Sequence, residues 1–569
     1  MEILLIDGIG PFFRRYRKKR INWSKIPFSH IETETGIREE YLESVPGEFT
    51  VLAGRVAAMG YNAITLDDAA HLIPHEGYPP AVRAKIEAYR LLHGELFAIA
   101  ASRGLSPYLT TDVMFFHPVL EKEIGRNPDR IADFLAERIE RLFEHFPLLE
   151  GIIFRFGEAD GVDVEGDFSS RIVLRRPTHA RRFLERLLPV FERAGKTLVF
   201  RTWSLGAYPL GDLMWNRNTF DRVFDRLDSP SLVLSMKYGE SDFFRYLPIN
   251  KLFFRSAHRK IVEFQARREY EGFGAYPSFV GWDCERYLDD LRGARNIVGV
   301  SVWCQTGGWG KRRQLTFLRN SSVWVELNAF VIPRLRGGAT CEQAIREFCA
   351  VQDPPLPEEP FREFLHLSEV AIRKLLYVSE LAERKLFFRR LRLPPQLFVF
   401  WDRILVNHTI ERILRCLVED GERCIREGEE GLRAVERMRC LAAEHGLPRK
   451  GLAFQYETYR ILAAAREYFF RPFSDDIAER LTTMCEQYRT HYRRHYTVDL
   501  DFRRSPVPTE YLRWLLRILL RDRRGYRIVD QLVTLRLLSW IHPLLRGMQR
   551  RVVPNFAKRH AMGVEVFFK

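Results

Sequence analysis

The chain has 569 residues and is 46% hydrophobic, too long for one compact core, so two or three domains are expected. Its net charge of +15 favours an anionic partner without choosing among nucleic acid, anionic lipid and an acidic small substrate. Eight scattered cysteines without a CxxC pair exclude a zinc ribbon and a dense disulfide framework and fit reduced thiols in a cytoplasm.

In chain order, the opening MEILLIDGIGPFF is a short apolar run with an acid at Glu2, no basic segment and no small-residue cleavage site, which does not describe a secretion signal. No later stretch reaches the roughly 18 uninterrupted apolar residues of a membrane span. From residue 27 to 303, short β-branched runs alternate with longer amphipathic segments: PFSHIE (27–32), NAITLD (62–67), LSPYLT (105–110), GIIFRF (151–156), TLVFRT (197–202), LVLSMK (232–237), IVEFQ (261–265) and IVGVSVW (297–303). Eight such runs, each followed by a helix-length segment within about 300 residues, predict a (β/α)8 barrel. Pro107 interrupts the third run, and a six-stranded doubly wound sheet is the competing fold. The crossovers include RIADFLAERIERLFEHF and HARRFLERLLPVFERAG, the second ending in a C-cap-like Gly195.

After residue 345 the texture changes to long Arg-, Glu- and Leu-rich amphipathic stretches, with the proline-rich VQDPPLPEEP (351–360) at the junction. We therefore expect a barrel over 1–345 and a helical domain over 346–569, with a final GVEVFFK able to form one strand. The glycine-rich TGGWGKRR (306–313) lacks P-loop spacing. The C-terminal arginine runs RDRRGYR and RGMQRRVV read as solvated or inter-subunit helix faces, since no nucleic-acid-binding pattern accompanies them.

In such a barrel the active site forms after the C-terminal ends of the strands, and those positions are polar here. Asp67, Asp68 and His71 follow strand two, Thr111 and Asp112 strand three, and Glu158, Asp160 and Asp163 strand four. Strand five ends in Arg201 and Trp203, and Lys237, Tyr238, Glu240 and Asp242 follow strand six. Glu269, Tyr270 and Glu271 follow strand seven, and Trp303, Gln305 and Trp309 strand eight. Carboxylates, two cations and tryptophans on one rim suit a glycosidase: one acid protonates the leaving oxygen, another serves water or attacks, and aromatic faces stack on the sugar. The cations ask for a negative group on the substrate. Plainer readings stand beside these: Glu158 as a solvated loop acid, Asp242 as a turn cap, Glu269 in a surface ion pair with Arg267 or Arg268, and Arg201 and Lys237 as simple counter-charges. His71 has no companion ligands at metal spacing.

Several segments together resemble the α-glucuronidases of glycoside hydrolase family 67. EFQARREYEGFG (263–274) is similar to the family's EYxGQ motif, with Glu269, Tyr270 and Gly272 in register. SMKYGESDFF, FRTW and FRFGEADG resemble its strand-six, strand-five and strand-four motifs, and GVSVWCQTGGWG with SSVWVELNAFVIPRLRGG resembles its eighth strand and following helix. The resemblance implies an inverting mechanism, with Glu158 as general acid and Asp242 and Glu269 serving the water. It also implies that Arg201 and Lys237 hold a uronate carboxylate. The departures are an absent N-terminal domain, Phe154 where the family has a lysine, and Phe273 in place of the glutamine of EYxGQ.

The expectation is thus a glycosidase that removes a terminal α-linked glucuronic or 4-O-methylglucuronic acid from oligosaccharides such as xylan fragments, without a cofactor or metal. Glu158, Asp242 and Glu269 are its catalytic residues, and Arg201, Lys237, Trp203, Tyr270, Asp68, Asp112 and Trp303 contact the sugar. The alternatives are a barrel glycosidase for a neutral or N-acetylated sugar and a non-enzymatic carbohydrate- or nucleic-acid-binding protein. Apolar stripes on the helical domain allow a homodimer or packing on the barrel.

Overall fold

The computed structural model describes residues 2–13, 32–33, 36–37, 39–156, 168–170, 172–204, 208–304, 315–318, 321–388, 391–396, 398–400, 403–493, 495–503 and 509–521. Eight parallel strands close into a barrel: β1 (Ile3–Asp7), β2 (Ala63–Asp67), β3 (Ser106–Asp112), β4 (Gly151–Arg155), β5 (Thr197–Arg201), β6 (Leu232–Lys237), β7 (Arg259–Gln265) and β8 (Ile297–Trp303). Each strand pairs with its neighbours in sequence, and β1 closes the ring against β8 with Ile3 opposite Gly299. A closed ring rules out the doubly wound sheet.

Seven strands fall where the sequence places them, and the first does not. PFSHIE is replaced by Ile3–Asp7; residues 27–31 lie outside the described residues, and Glu32–Thr33 only pairs with Gly36–Ile37 in a two-residue ladder. The physical reason is burial on both faces. A parallel barrel strand sits between interior and helices, so it reads as the unbroken apolar run ILLI rather than as an alternating one. Gly299 allows the closure, because a Cβ there would lie 1.9 Å from the Ile3 carbonyl oxygen. Pro107 is also tolerated: its carbonyl accepts from Glu150 N at 2.8 Å, so its missing N–H falls below the start of β4 at Gly151.

Side chains alternate along a strand, and the barrel interior changes character with height. Ile3, Leu5, Ala63, Tyr108, Ile153, Val199, Val233 and Ile261 form an apolar plug toward the N-terminal end. Two and four residues further along the same strands come Asp7, Thr65, Asp67, Thr110, Asp112, Arg155, Arg201, Ser235, Lys237, Glu263 and Gln265, all buried. Apolar packing ends where the polar site begins.

Crossover helices Pro128–His145 and Pro177–Ala194 cover the outside, the latter ending on Gly195 in the left-handed region at φ 65°. Helices Val323–Arg336 and Cys341–Ala350 pack beside Gly281–Asp290. Beyond the proline-rich stretch, Glu358–Leu375, Gly421–Glu444, Leu452–Phe470 and Asp475–Tyr492 pack in succession. This helical region also holds a small sheet of Val399–Phe400, Arg403–Asn407 and Thr497–Asp501. The arginine runs beyond Arg521 and GVEVFFK lie outside the described residues. Among the described residues, no helix is long and apolar enough to cross a membrane.

Leu5 is 1% exposed inside the plug, whereas Leu91 on a crossover helix is 71% exposed. Leu5→Ala is expected to cost about 2–5 kcal/mol and to lower the denaturation midpoint, with Leu91→Ala near wild type. Equal midpoints for the two variants would contradict the placement of β1.

Candidate active site

The site grows from the turns after β6 and β7. Asp242, in the β6 turn, accepts hydrogen bonds from the Lys237 ammonium, from Phe243 N at 2.9 Å and from the Tyr270 hydroxyl at 2.7 Å. Lys237, at the end of β6, lies 3.6 Å from the Trp203 ring centroid and 4.3 Å from that of Phe243. Tyr270 packs on Phe244 at 4.3 Å. Asp242, Lys237, Trp203 and Tyr270 are thus brought together.

Glu269, one residue before Tyr270, is 5% exposed, and its backbone N–H donates to Gln265 Oε1 at 2.8 Å. Burial, and then the neighbouring charge of Asp242, push its carboxyl up to about 8 against the pull of Lys237. This buried carboxyl retains its proton through neutral pH. The plainer reading of Glu269, a surface ion pair with Arg267 or Arg268, fails in its surface setting, although the Arg267 charge still acts on this buried carboxyl. Arg268 pairs with Glu271 at 2.6 Å, and Arg267 is buried with its guanidinium over Phe273.

The four charged residues of this stretch, Arg267, Arg268, Glu269 and Glu271, therefore divide their work. Glu271 is fully buried and is anchored by Arg245, Arg268, Ser278 Oγ at 2.5 Å and Tyr377 Oη at 2.8 Å. Burial opposes its charge, but the two guanidinium groups outweigh that and hold its carboxyl well below the usual range. Arg268, Gly272, Phe273 and Gly274 all take positive φ, which folds residues 268–274 back sharply. At Gly272 a Cβ would also strike the Tyr276 ring at 2.3 Å. Asn328, from the helix after β8, clamps both ends of this segment by donating to Ala266 O and Ser278 O and accepting from Val280 N.

The remaining expected residues lie in the same polar layer with partners of their own. Arg201 makes a bidentate pair with Glu263 at 2.9 and 2.8 Å and lies 4.7 Å from the Trp303 ring centroid. Ser235 donates to the same Glu263 carboxylate at 2.7 Å. Burial opposes the Glu263 charge, yet Arg201 and Lys237 bring its carboxyl below the ordinary value. Asp112 accepts from Arg155 at 2.8 Å. Asp68 accepts from Ala70 N and Thr111 Oγ1 at 2.9 and 2.6 Å, so it caps the short helix after β2. His71 sits among Tyr89, Phe115 and Phe168, and among the described residues no group of three metal-ligating side chains forms. Trp303, 4% exposed, keeps an indole N–H without a hydrogen-bond partner among the described residues. Glu158, Asp160, Asp163, Gln305 and Trp309 lie outside the described residues.

Sequence reasoning missed Asp7, Arg155, Glu263 and Gln265. Asp7 ends β1 and accepts from Cys304 N at 2.7 Å; placing the first strand at 3–7 would have found it. The other three are polar residues at inward positions of otherwise apolar strands, a signal that period-two counting exposes.

No protein-family model matches the chain, and no curated protein matches it significantly in sequence. Among solved structures it is similar to a GH138 enzyme targeting pectin rhamnogalacturonan II, with a TM-score of 0.52 and 13% identity over 97% of this chain and 69% of that one. A mutant of the Thermobaculum terrenum O-GlcNAc hydrolase (TM-score 0.39, 12% identity, 90% of this chain and 95% of that one) and a glycoside hydrolase family 5 enzyme from Prevotella bryantii (0.34, 11%, 58% and 95%) match more loosely. The first likeness shows a shared fold; the other two are too loose to support any comparison.

Because Glu269 binds its proton more tightly in the fold than in the open chain, the native state holds more protons between about pH 4.5 and 8, and stability falls as pH rises through that window. Glu269→Gln removes the effect. The variant is expected to match wild type near pH 4.5 and to gain stability progressively, by up to a few kcal/mol above pH 8, in thermal unfolding across pH. A difference that does not change with pH would show Glu269 ionised in the fold.

Proposed function

We propose that the protein is a glycoside hydrolase acting on a terminal acidic sugar, glucuronic or 4-O-methylglucuronic acid, with inversion at the anomeric carbon. The observation that carries the reading is a buried carboxyl, Glu269, beside Asp242 at the C-terminal mouth of the barrel. A base is most effective when its pKa lies near the working pH, and Glu269 meets that condition. Asp242, occupied by three donors, is its partner: its charge raises the proton affinity of Glu269, and its bond to Tyr270 holds the two turns together.

In this mechanism the Glu269 carboxylate takes a proton from water as the water oxygen attacks the anomeric carbon. Glu158 gives its proton to the departing glycosidic oxygen, and both carboxyl groups exchange protons with solvent before the next cycle. Its place directly after β4 in sequence supports the assignment of Glu158. Trp203 and Trp303 offer aromatic faces, and the Trp303 N–H is a donor for a sugar oxygen. The acidic substrate rests on Lys237 and Arg201, the two cations at the ends of β6 and β5. A neutral or N-acetylated sugar is the second reading, favoured by the fact that each cation already has a carboxylate partner.

The reading is tested with glucuronosyl and 4-O-methylglucuronosyl xylo-oligosaccharides, fragments of pectin rhamnogalacturonan II, and neutral α- and β-glycosides. Release of uronic acid, reduced at least about a hundredfold in Glu158→Gln, is expected. Release from neutral substrates alone would replace the acidic sugar, and no release from any of them would discard the hydrolase. In wild type, kcat/KM is expected to rise with pH through about 8, where Glu269 loses its proton. Asp242→Asn removes a charge that raises Glu269, so the limb of its residual activity moves to lower pH; an unmoved limb would assign the base elsewhere.

A further inference from the structure

We propose that Tyr377, just beyond the helix Glu358–Leu375, is a positioning residue for the Asp242–Glu269 pair, its phenol tying the turn that carries one carboxyl to the turn that carries the other. The functional role rests on the hydrolase reading; the geometry does not. The Tyr377 oxygen accepts from Arg245 N at 3.1 Å and donates to Glu271 Oε1 at 2.8 Å. Arg245 stands three residues after Asp242, and Glu271 two residues after Glu269. The two turns are thus joined at both ends: through Tyr270 and Asp242 on the site side, and through Tyr377 on the far side.

The anchor is itself fixed. Tyr377 is fully buried, and its carbonyl accepts from Arg466 Nη2 at 2.5 Å, from the helix Leu452–Phe470. Burial, followed by the Glu271 charge, raises the phenol far above its ordinary value, so it remains a donor. Arg245 adds a second connection, with its guanidinium on Glu271, Asp283 and Phe279 O, and Arg373 of the preceding helix reaches the same Asp283 at 2.8 Å. The helical region is by this reasoning part of the catalytic apparatus without touching substrate.

The test compares Tyr377→Phe with Ser379→Ala, two residues further on, which deletes a buried bond to Glu427 rather than one to either turn. Each is paired with its Glu269→Gln counterpart, and thermal unfolding from about pH 5 to 9.5 gives the midpoint of Glu269 titration without any substrate. Losing the tie admits water to Glu269 and loosens Asp242 beside it, both of which lower its proton affinity. Tyr377→Phe is expected to move the midpoint down by about one pH unit or more, and Ser379→Ala to leave it in place. On an active glycoside the acid limb of kcat/KM shifts the same way, and kcat falls about tenfold with KM within about twofold. A Tyr377→Phe protein that melts earlier but keeps the wild-type midpoint would make the residue structural only and overturn the proposal. Should that variant not fold, Arg466→Lys loosens the group that holds the Tyr377 carbonyl, and an unchanged midpoint there would likewise overturn it. Absence of glycosidase activity would discard the hydrolase while the titration still decides the tie.

Discussion

One buried anion organises the mouth of this barrel. Taking a carboxylate out of water costs several kcal/mol unless hydrogen bonds and opposite charge replace the lost solvent. For Glu271 the replacement comes from three places: Arg245 after β6, Arg268 and Ser278 in the β7 segment, and Tyr377 in the helical region. None of these alone satisfies the carboxylate. The two turns and the helical region must be in place together, which makes their geometry cooperative.

Glu269 and Glu271 lie two residues apart and are pushed in opposite directions by their surroundings. Glu271 faces two guanidinium groups and stays ionised; Glu269 is buried near another carboxylate and keeps its proton to about 8. Positive φ at Arg268 just before the pair and at Gly272, Phe273 and Gly274 just after it folds the segment sharply, and the two side chains end in different surroundings. Such divergence of neighbouring carboxyls is what acid–base chemistry near neutral pH requires, and here it comes from one short turn. The charged strand ends extend the same logic inward, with Arg201 and Glu263, Arg155 and Asp112, and Lys237 and Asp242 paired in the polar layer above an apolar plug.

Much of this is legible in the sequence. Seven strands announced themselves because each is a β-branched run bounded by polar turns. The first misled because Ile3–Asp7, apolar on both faces, resembles an N-terminal hydrophobic stretch, and Asp7 was lost with it. The clustering of Asp242, Glu269, Tyr270, Lys237 and Trp203 followed from the rule that barrel sites form after strand ends. Pairing did not follow. Sequence spacing offered Arg267 or Arg268 to Glu269, and only the left-handed turn delivers Arg268 to Glu271 instead. Nor does spacing reveal that Tyr377, 106 residues downstream of Glu271, closes the network, since such contacts depend on how the helices pack.

The central claim is that Glu269 and Asp242 serve water on the face of the sugar opposite the departing group. Proton NMR of the first anomer released during hydrolysis tests it most directly, before mutarotation mixes the products. Release of the anomer opposite to that of the substrate is the predicted result. Release of the same anomer would require an attacking carboxylate and a covalent intermediate, and would contradict the water-side assignment of the pair.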